Sequence, residues 1–138
     1  MAKHPSWRNP FLASLAAGAA ALGLAQTGPA IASLSPREAF ALMRADSTVL
    51  LLDVRTPGEF SGESGHLAGA VLVPVDELEG RLNELAPEKS RTILVYCRTG
   101  RRSARAVAIL GKQGFHAVNV QGGIVRWSAD QLPVVKER

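Results

Sequence analysis

The sequence predicts an α/β domain, an open and mostly parallel sheet with helices on both faces. Three observations predict it. Short apolar runs at 48–54, 70–74, 92–96 and 117–120 alternate with segments of helical character, the order that builds βαβ units. The run at 48–54 is continuous rather than alternating with polar residues, as expected of a strand covered on both sides. The length of 138 residues leaves room for one such domain behind a leader.

The leader comes first. Met1 to Pro10 carries Lys3 and Arg8 without an acidic residue, and Phe11 to Ala25 is uncharged and built mainly of Ala, Leu and Gly. Gln26-Thr27-Gly28-Pro29 interrupts that run, and Ala30-Ile31-Ala32 has the small-x-small spacing of a cleavage site. These are the three regions of a secretory signal peptide. The expected division is a leader over 1–32 and a domain over 33–138, with Ser33 as the mature terminus. The apolar run is shorter than the ~20 residues a spanning helix needs. No Arg-Arg pair precedes it, which favours general secretion over the twin-arginine route. The protein is expected to be exported, to the periplasm, with no stable membrane association once the leader is removed. A retained leader would give a membrane-anchored or secreted protein instead.

Ser35-Pro36-Arg37-Glu38 opens the domain. Ser35 can cap a helix, Pro36 suits its first position and Glu38 closes a capping box, so a helix is expected to about Arg44. The strand at Thr48–Val54 follows, then a helical turn begun by Pro57-Gly58-Glu59-Phe60 and a loop over 61–65. Ala70–Pro74 reads as a second strand. Asp76 is placed to cap a helix carrying Leu78, Leu82 and Leu85 at helical spacing. A turn at 87–90 leads to the strand Thr92–Tyr96. A helix is expected from Ser103 to Gln113, stopped by Gly114. The strand 117–120 ends at Gly122-Gly123, and a last helix from Ile124 to Asp130 stops near Pro133.

Composition removes several functional classes. The formal charge of +4 falls to +2 without the leader cations Lys3 and Arg8, and aromatic residues are 5% of the chain. No basic stripe interleaves with them, so the footprint of a nucleic-acid binder is missing. A single cysteine excludes an internal disulfide and any Cys-x-x-Cys pair. His66 and His116 stand too far apart to suggest a metal site, and His116 is expected to be a hydrogen-bonded structural residue. No metal and no cofactor is expected.

That cysteine, Cys97, sits at the carboxyl end of the 92–96 strand on a loop feeding a helix. Ligands bind there in open α/β sheets. Unpaired first-turn N–H groups and the helix dipole favour an anion at that place. Arg98, Arg101, Arg102 and Arg105 add positive charge nearby. A thiolate so placed titrates below the ~8.5 of a free cysteine. The same positive pocket suits a small anionic substrate. Cys97 therefore reads as a nucleophile.

Four motifs then resemble the rhodanese family of single-domain type. They are Leu51-Leu52-Asp53-Val54-Arg55-Thr56-Pro57-Gly58-Glu59-Phe60, then Gly65-His66-Leu67-Ala68-Gly69-Ala70 with Val73-Pro74. Val95 to Ala104 and Gly122-Gly123-Ile124-Val125-Arg126-Trp127 complete them. The resemblance covers nearly the whole domain and implies a parallel sheet of about five strands and a persulfide-forming cysteine. By position, Cys97 matches the family's sulfur-accepting nucleophile. Arg98, Thr99, Gly100, Arg101 and Arg102 complete its six-residue loop, with Ser103 beginning the helix. The implied activity is thiosulfate sulfurtransfer: sulfane sulfur moves from thiosulfate or a similar donor to a thiol, or to cyanide in vitro.

Arg98 and Arg101 could hold the donor's sulfonate oxygens by charge-assisted hydrogen bonds. Asp53 and Arg55 are expected to form a structural ion pair near the site. His66 is expected to order a turn, and Trp127 to belong to the core. A monomer is expected, with an acceptor protein as a further partner. Two other readings stay open. One is a non-catalytic persulfide carrier or protein-binding module; the other is a phosphatase or arsenate reductase of the same fold. The phosphatase loop places arginine where Ser103 stands, with Arg102 one residue early, and a reductase would lack a resolving cysteine.

Overall fold

The computed structural model describes residues 31–136, so the leader expected over 1–32 lies outside the described residues up to position 30. Strand β1 is Ser33–Leu34, helix α1 Pro36–Ala45, strand β2 Leu50–Asp53, and helix α2 Pro57–Phe60. Strand β3 (Val71–Leu72) and helices α3 (Val75–Leu78) and α4 (Leu82–Leu85) follow. Strand β4 (Thr92–Tyr96), helix α5 (Arg101–Lys112), strand β5 (His116–Val120) and helix α6 (Gly123–Ala129) complete the order. The five strands form one sheet in the order β1-β5-β4-β2-β3, and every pairing is parallel. The expected fold class is borne out.

Strand side chains alternate between faces, and the core divides accordingly. Leu52, Ile93, Val95 and Ala117 pack with Leu78 of α3, Leu85 of α4 and Ala106, Val107 and Leu110 of α5. Leu51, Leu94, Tyr96 and Val120 face the other way, onto Ala39 of α1 and Ile124 and Trp127 of α6. Each fully buried aliphatic side chain here contributes about 1.5–3 kcal/mol. Trp127 is 1% exposed, meets Phe40 edge-on at 5.8 Å and donates its indole N–H to the Pro133 carbonyl at 2.9 Å.

The capping box of α1 forms as read, with Ser35 and Glu38 bonding reciprocally. Other elements differ from expectation. Strand β1 has no sequence signal, because two residues make no apolar run; it is held by pairing with β5. The Ala32 carbonyl also accepts the Asn119 N–H at 2.9 Å, so the expected cleavage point falls against a sheet hydrogen bond. Strand β2 starts at Leu50 rather than Thr48, because the Asp46 carboxylate takes both the N–H and the hydroxyl of Thr48 into a turn. Strand β3 is trimmed to two residues.

Asp76 does not cap a helix. It lies inside α3, whose N-cap is Pro74 without a side-chain hydrogen bond. The expected helix is broken into α3 and α4 by a 3₁₀ turn at Glu79–Arg81, where Gly80 disfavours a continuous helix. His116 heads β5 as an exposed residue, where a hydrogen-bonded structural residue was expected. Helix α5 begins at Arg101, two residues before Ser103, because Gly100 adopts φ +105° and turns the chain into the helix.

Candidate active site

Parallel strands bring the loops after β2, β4 and β5 to one end of the sheet. The loop after β4 carries Cys97, which is 1% exposed. Its Sγ lies 3.0 Å from the Gly100 N–H and 3.3 Å from Ser103 Oγ. Burial pushes the thiol up, but the Ser103 hydroxyl, when its proton points at the sulfur, and the N–H groups of Ser103, Gly100 and Thr99 outweigh it. The thiol is held below its ordinary value. The loop's N–H groups thus favour the charged form of the sulfur.

The loop after β5 sets that orientation. The Ile124 and Val125 N–H groups, in the first turn of α6, donate to the Cys97 and Arg98 carbonyls at 2.9 and 3.1 Å. Two loop carbonyls are thereby engaged away from the sulfur. The approach requires glycine: a Cβ on Gly123, at φ +59°, would lie 2.4 Å from the Arg98 carbonyl oxygen and 2.5 Å from that of Cys97.

The arginines divide. Arg98 and Arg101 are exposed, as is Thr99. Arg102, expected at the substrate, gives its guanidinium to both oxygens of Glu59 at 2.7 and 2.9 Å. The Arg102 hydrogen bonds hold the Glu59 carboxyl down to about 2. Arg105 pairs with Asp76 on the surface at 3.3 Å.

At the end of β2, Arg55 Nη2 and Nε meet the Asp53 carboxylate at 2.7–3.1 Å, with both side chains fully buried. Arg55 also donates to the Gly65 carbonyl and Ser64 Oγ, and lies 5.5 Å over the Tyr96 ring. The Tyr96 hydroxyl accepts the Leu67 N–H at 3.0 Å, and burial pushes that phenol well above its ordinary value. His66 stacks on Phe60 at 3.8 Å, and its Nδ1 lies 3.1 Å from the Phe60 carbonyl. A carbonyl only accepts, so Nδ1 carries the proton. These residues brace the 60–67 segment beside the loop.

The Rhodanese-like domain family matches residues 35–130. The chain belongs to the rhodanese family. A sulfurtransferase of Allochromatium vinosum is 40% identical over 88 residues, which is 63% of this chain and 78% of that protein. The thiosulfate sulfurtransferase PspE of Escherichia coli is 37% identical over 73 residues, 53% of this chain and 68% of PspE. Among solved structures, a rhodanese-related protein from Thermoplasma volcanium superposes with a TM-score of 0.69 at 31% identity. That match covers 77% of this chain and 99% of the other.

Within this rhodanese fold, two side chains at the site went unmarked in the sequence reading. Glu59 lies within the Leu51–Phe60 motif, where nothing local marks it as the partner of Arg102. Asn119 reaches the Gly100 carbonyl and Ser103 Oγ from β5; its one signal was a polar residue inside an apolar strand.

Proposed function

We propose that this protein is a sulfurtransferase whose Cys97 thiolate takes sulfane sulfur from a small anionic donor of the thiosulfate type. The observation that carries this is Cys97 Sγ buried among loop N–H groups, with Arg98 and Arg101 exposed on the segment that follows it. The thiolate attacks the outer sulfur of thiosulfate. A Cys97 S–S bond forms, the donor S–S bond breaks, and sulfite leaves with the electron pair. The persulfide's terminal sulfur is then the anion, and loop N–H groups would stabilise it as an oxyanion hole does. A thiolate or cyanide attacks that sulfur, and Cys97 leaves as thiolate. The cycle is ping-pong and needs no cofactor.

Arg98 and Arg101 are assigned to the donor's sulfonate oxygens. Two features support a thiosulfate-like donor: the charge at the mouth, and the name of the Escherichia coli relative. A phosphatase reading fits less well, because Ser103 stands where that loop places its arginine and Arg102 is paired with Glu59. The domain over 33–138 is proposed to act as an exported, periplasmic monomer after loss of the leader, which N-terminal sequencing of fractionated cells tests.

Steady-state kinetics test the chemistry. Thiosulfate and cyanide should give thiocyanate with parallel double-reciprocal lines, and Cys97→Ser should give none. Turnover of an aryl phosphate without thiocyanate formation would replace this reading with the phosphatase one. Slow release to cyanide with fast transfer to one protein would replace it with the carrier.

A further inference from the structure

Among the buried polar side chains that the sulfur-transfer scheme does not use, Asn119 reaches the cysteine loop from β5. Asn119 is 8% exposed and stands on the sheet face that α5 covers. Its Nδ2 donates to the Gly100 carbonyl at 3.2 Å, and its Oδ1 lies 2.6 Å from Ser103 Oγ. A backbone carbonyl can only accept, which fixes the amide: its NH₂ faces Gly100 and its oxygen faces Ser103. That oxygen cannot donate, so the 2.6 Å bond uses the Ser103 hydroxyl proton. A serine hydroxyl has only one. Ser103 Oγ also lies 3.3 Å from Cys97 Sγ, and with its proton on Asn119 it turns a lone pair toward the sulfur. A lone pair suits a thiol S–H and opposes a thiolate.

We propose that Asn119 is a positioning residue that competes with Cys97 for the Ser103 hydroxyl proton, and so sets how readily the sulfur becomes charged. In the empty thiolate, the hydroxyl either turns to Sγ and orphans a buried Asn119 oxygen, or stays and leaves the charge to the backbone amides. Either choice costs free energy. In the persulfide the charge has moved to the outer sulfur, and Sγ is neutral and needs no donor from Ser103. Asn119 therefore favours the loaded protein over the empty thiolate. The proposal rests on the reading of Cys97 as a working thiolate.

Other charges on the elements around the sulfur are Arg98 on the loop and Arg101 and Arg102 in the first turn of α5, with Arg102 backed by Glu59 of α2. The Asp53–Arg55 pair ends β2, and Arg126 lies along Gly122 on α6. All of them are unchanged in the variants that test the idea. Replacing Asn119 does not orphan the Gly100 carbonyl, which keeps the Ala104 N–H at 3.1 Å.

The test is the apparent pKa of Cys97 in the full chain, read from the pH dependence of iodoacetamide alkylation and from thiolate ultraviolet absorbance. Asn119→Leu should lower it by about one unit, raising the thiolate fraction about tenfold on the acid side. Ser103→Ala should move it less, because the two uses of the lost proton offset each other. In the Ser103→Ala background, Asn119→Leu should move nothing further. An unchanged or raised pKa in Asn119→Leu overturns the proposal, as does an equal drop with Ser103 absent. Asn119→Ala carries the same expectations if the leucine variant does not fold by circular dichroism. No sulfur donor enters this measurement, so thiocyanate formation by the wild type reports separately on the sulfur-transfer reading.

Discussion

Glu59 decides what Arg102 does. Held at both carboxylate oxygens, Arg102 supplies a fixed charge rather than a mobile ligand. The pair also makes stability pH-dependent with a definite sign. The folded carboxyl titrates at about 2 against an ordinary 4.5, so its contribution is present above about 4.5 and is lost as the pH falls toward 2. Glu59→Gln should flatten that acid arm of a plot of thermal midpoint against pH. The loss at neutral pH should be about 1 kcal/mol, since the pair is partly exposed. Asp53→Asn should cost far more, about 3–5 kcal/mol by denaturant titration, because it strands the buried Arg55 guanidinium. Cys97 was legible because a lone cysteine between a strand and an arginine-rich helix start has few other uses. The partners of Arg102 and Ser103 were not, because they lie 43 and 16 residues away and periodicity reports faces, not which polar atoms meet.

The loop that holds the sulfur is shaped by two neighbouring elements, α5 beginning at a left-handed Gly100 and α6 donating N–H groups to its carbonyls. Gly123→Ala tests the second. Its backbone conformation alone should cost roughly 1–3 kcal/mol, and the contact with two carbonyls would displace the loop. The thermal midpoint should fall, and Cys97 alkylation near neutral pH should slow as its amide donors turn away. Unchanged alkylation would mean that α6 does not orient the loop. Elements with local chemistry were readable in advance: the α1 capping box and the β4 run appear where the sequence put them. Strand β1 exists only through its pairing with β5. The break between α3 and α4 depends on Gly80 outweighing three leucines at helical spacing, and spacing alone favoured a single helix.

The all-parallel sheet is what gathers the loops after β2, β4 and β5 at one end, and both core layers close around it. Cys97 is 1% exposed, and we propose that this recess limits disulfide formation with a second copy of the chain. The protein should therefore run as a monomer on a non-reducing gel after air oxidation; a major disulfide dimer would show an open site. The central claim is that this one sulfur, held as an anion by backbone N–H groups, carries a second sulfur. Intact mass after incubation with thiosulfate tests it most directly. The wild type should gain one sulfur atom and lose it on adding cyanide, and Cys97→Ser should gain none. An unchanged wild-type mass, or an equal gain on Cys97→Ser, would contradict it.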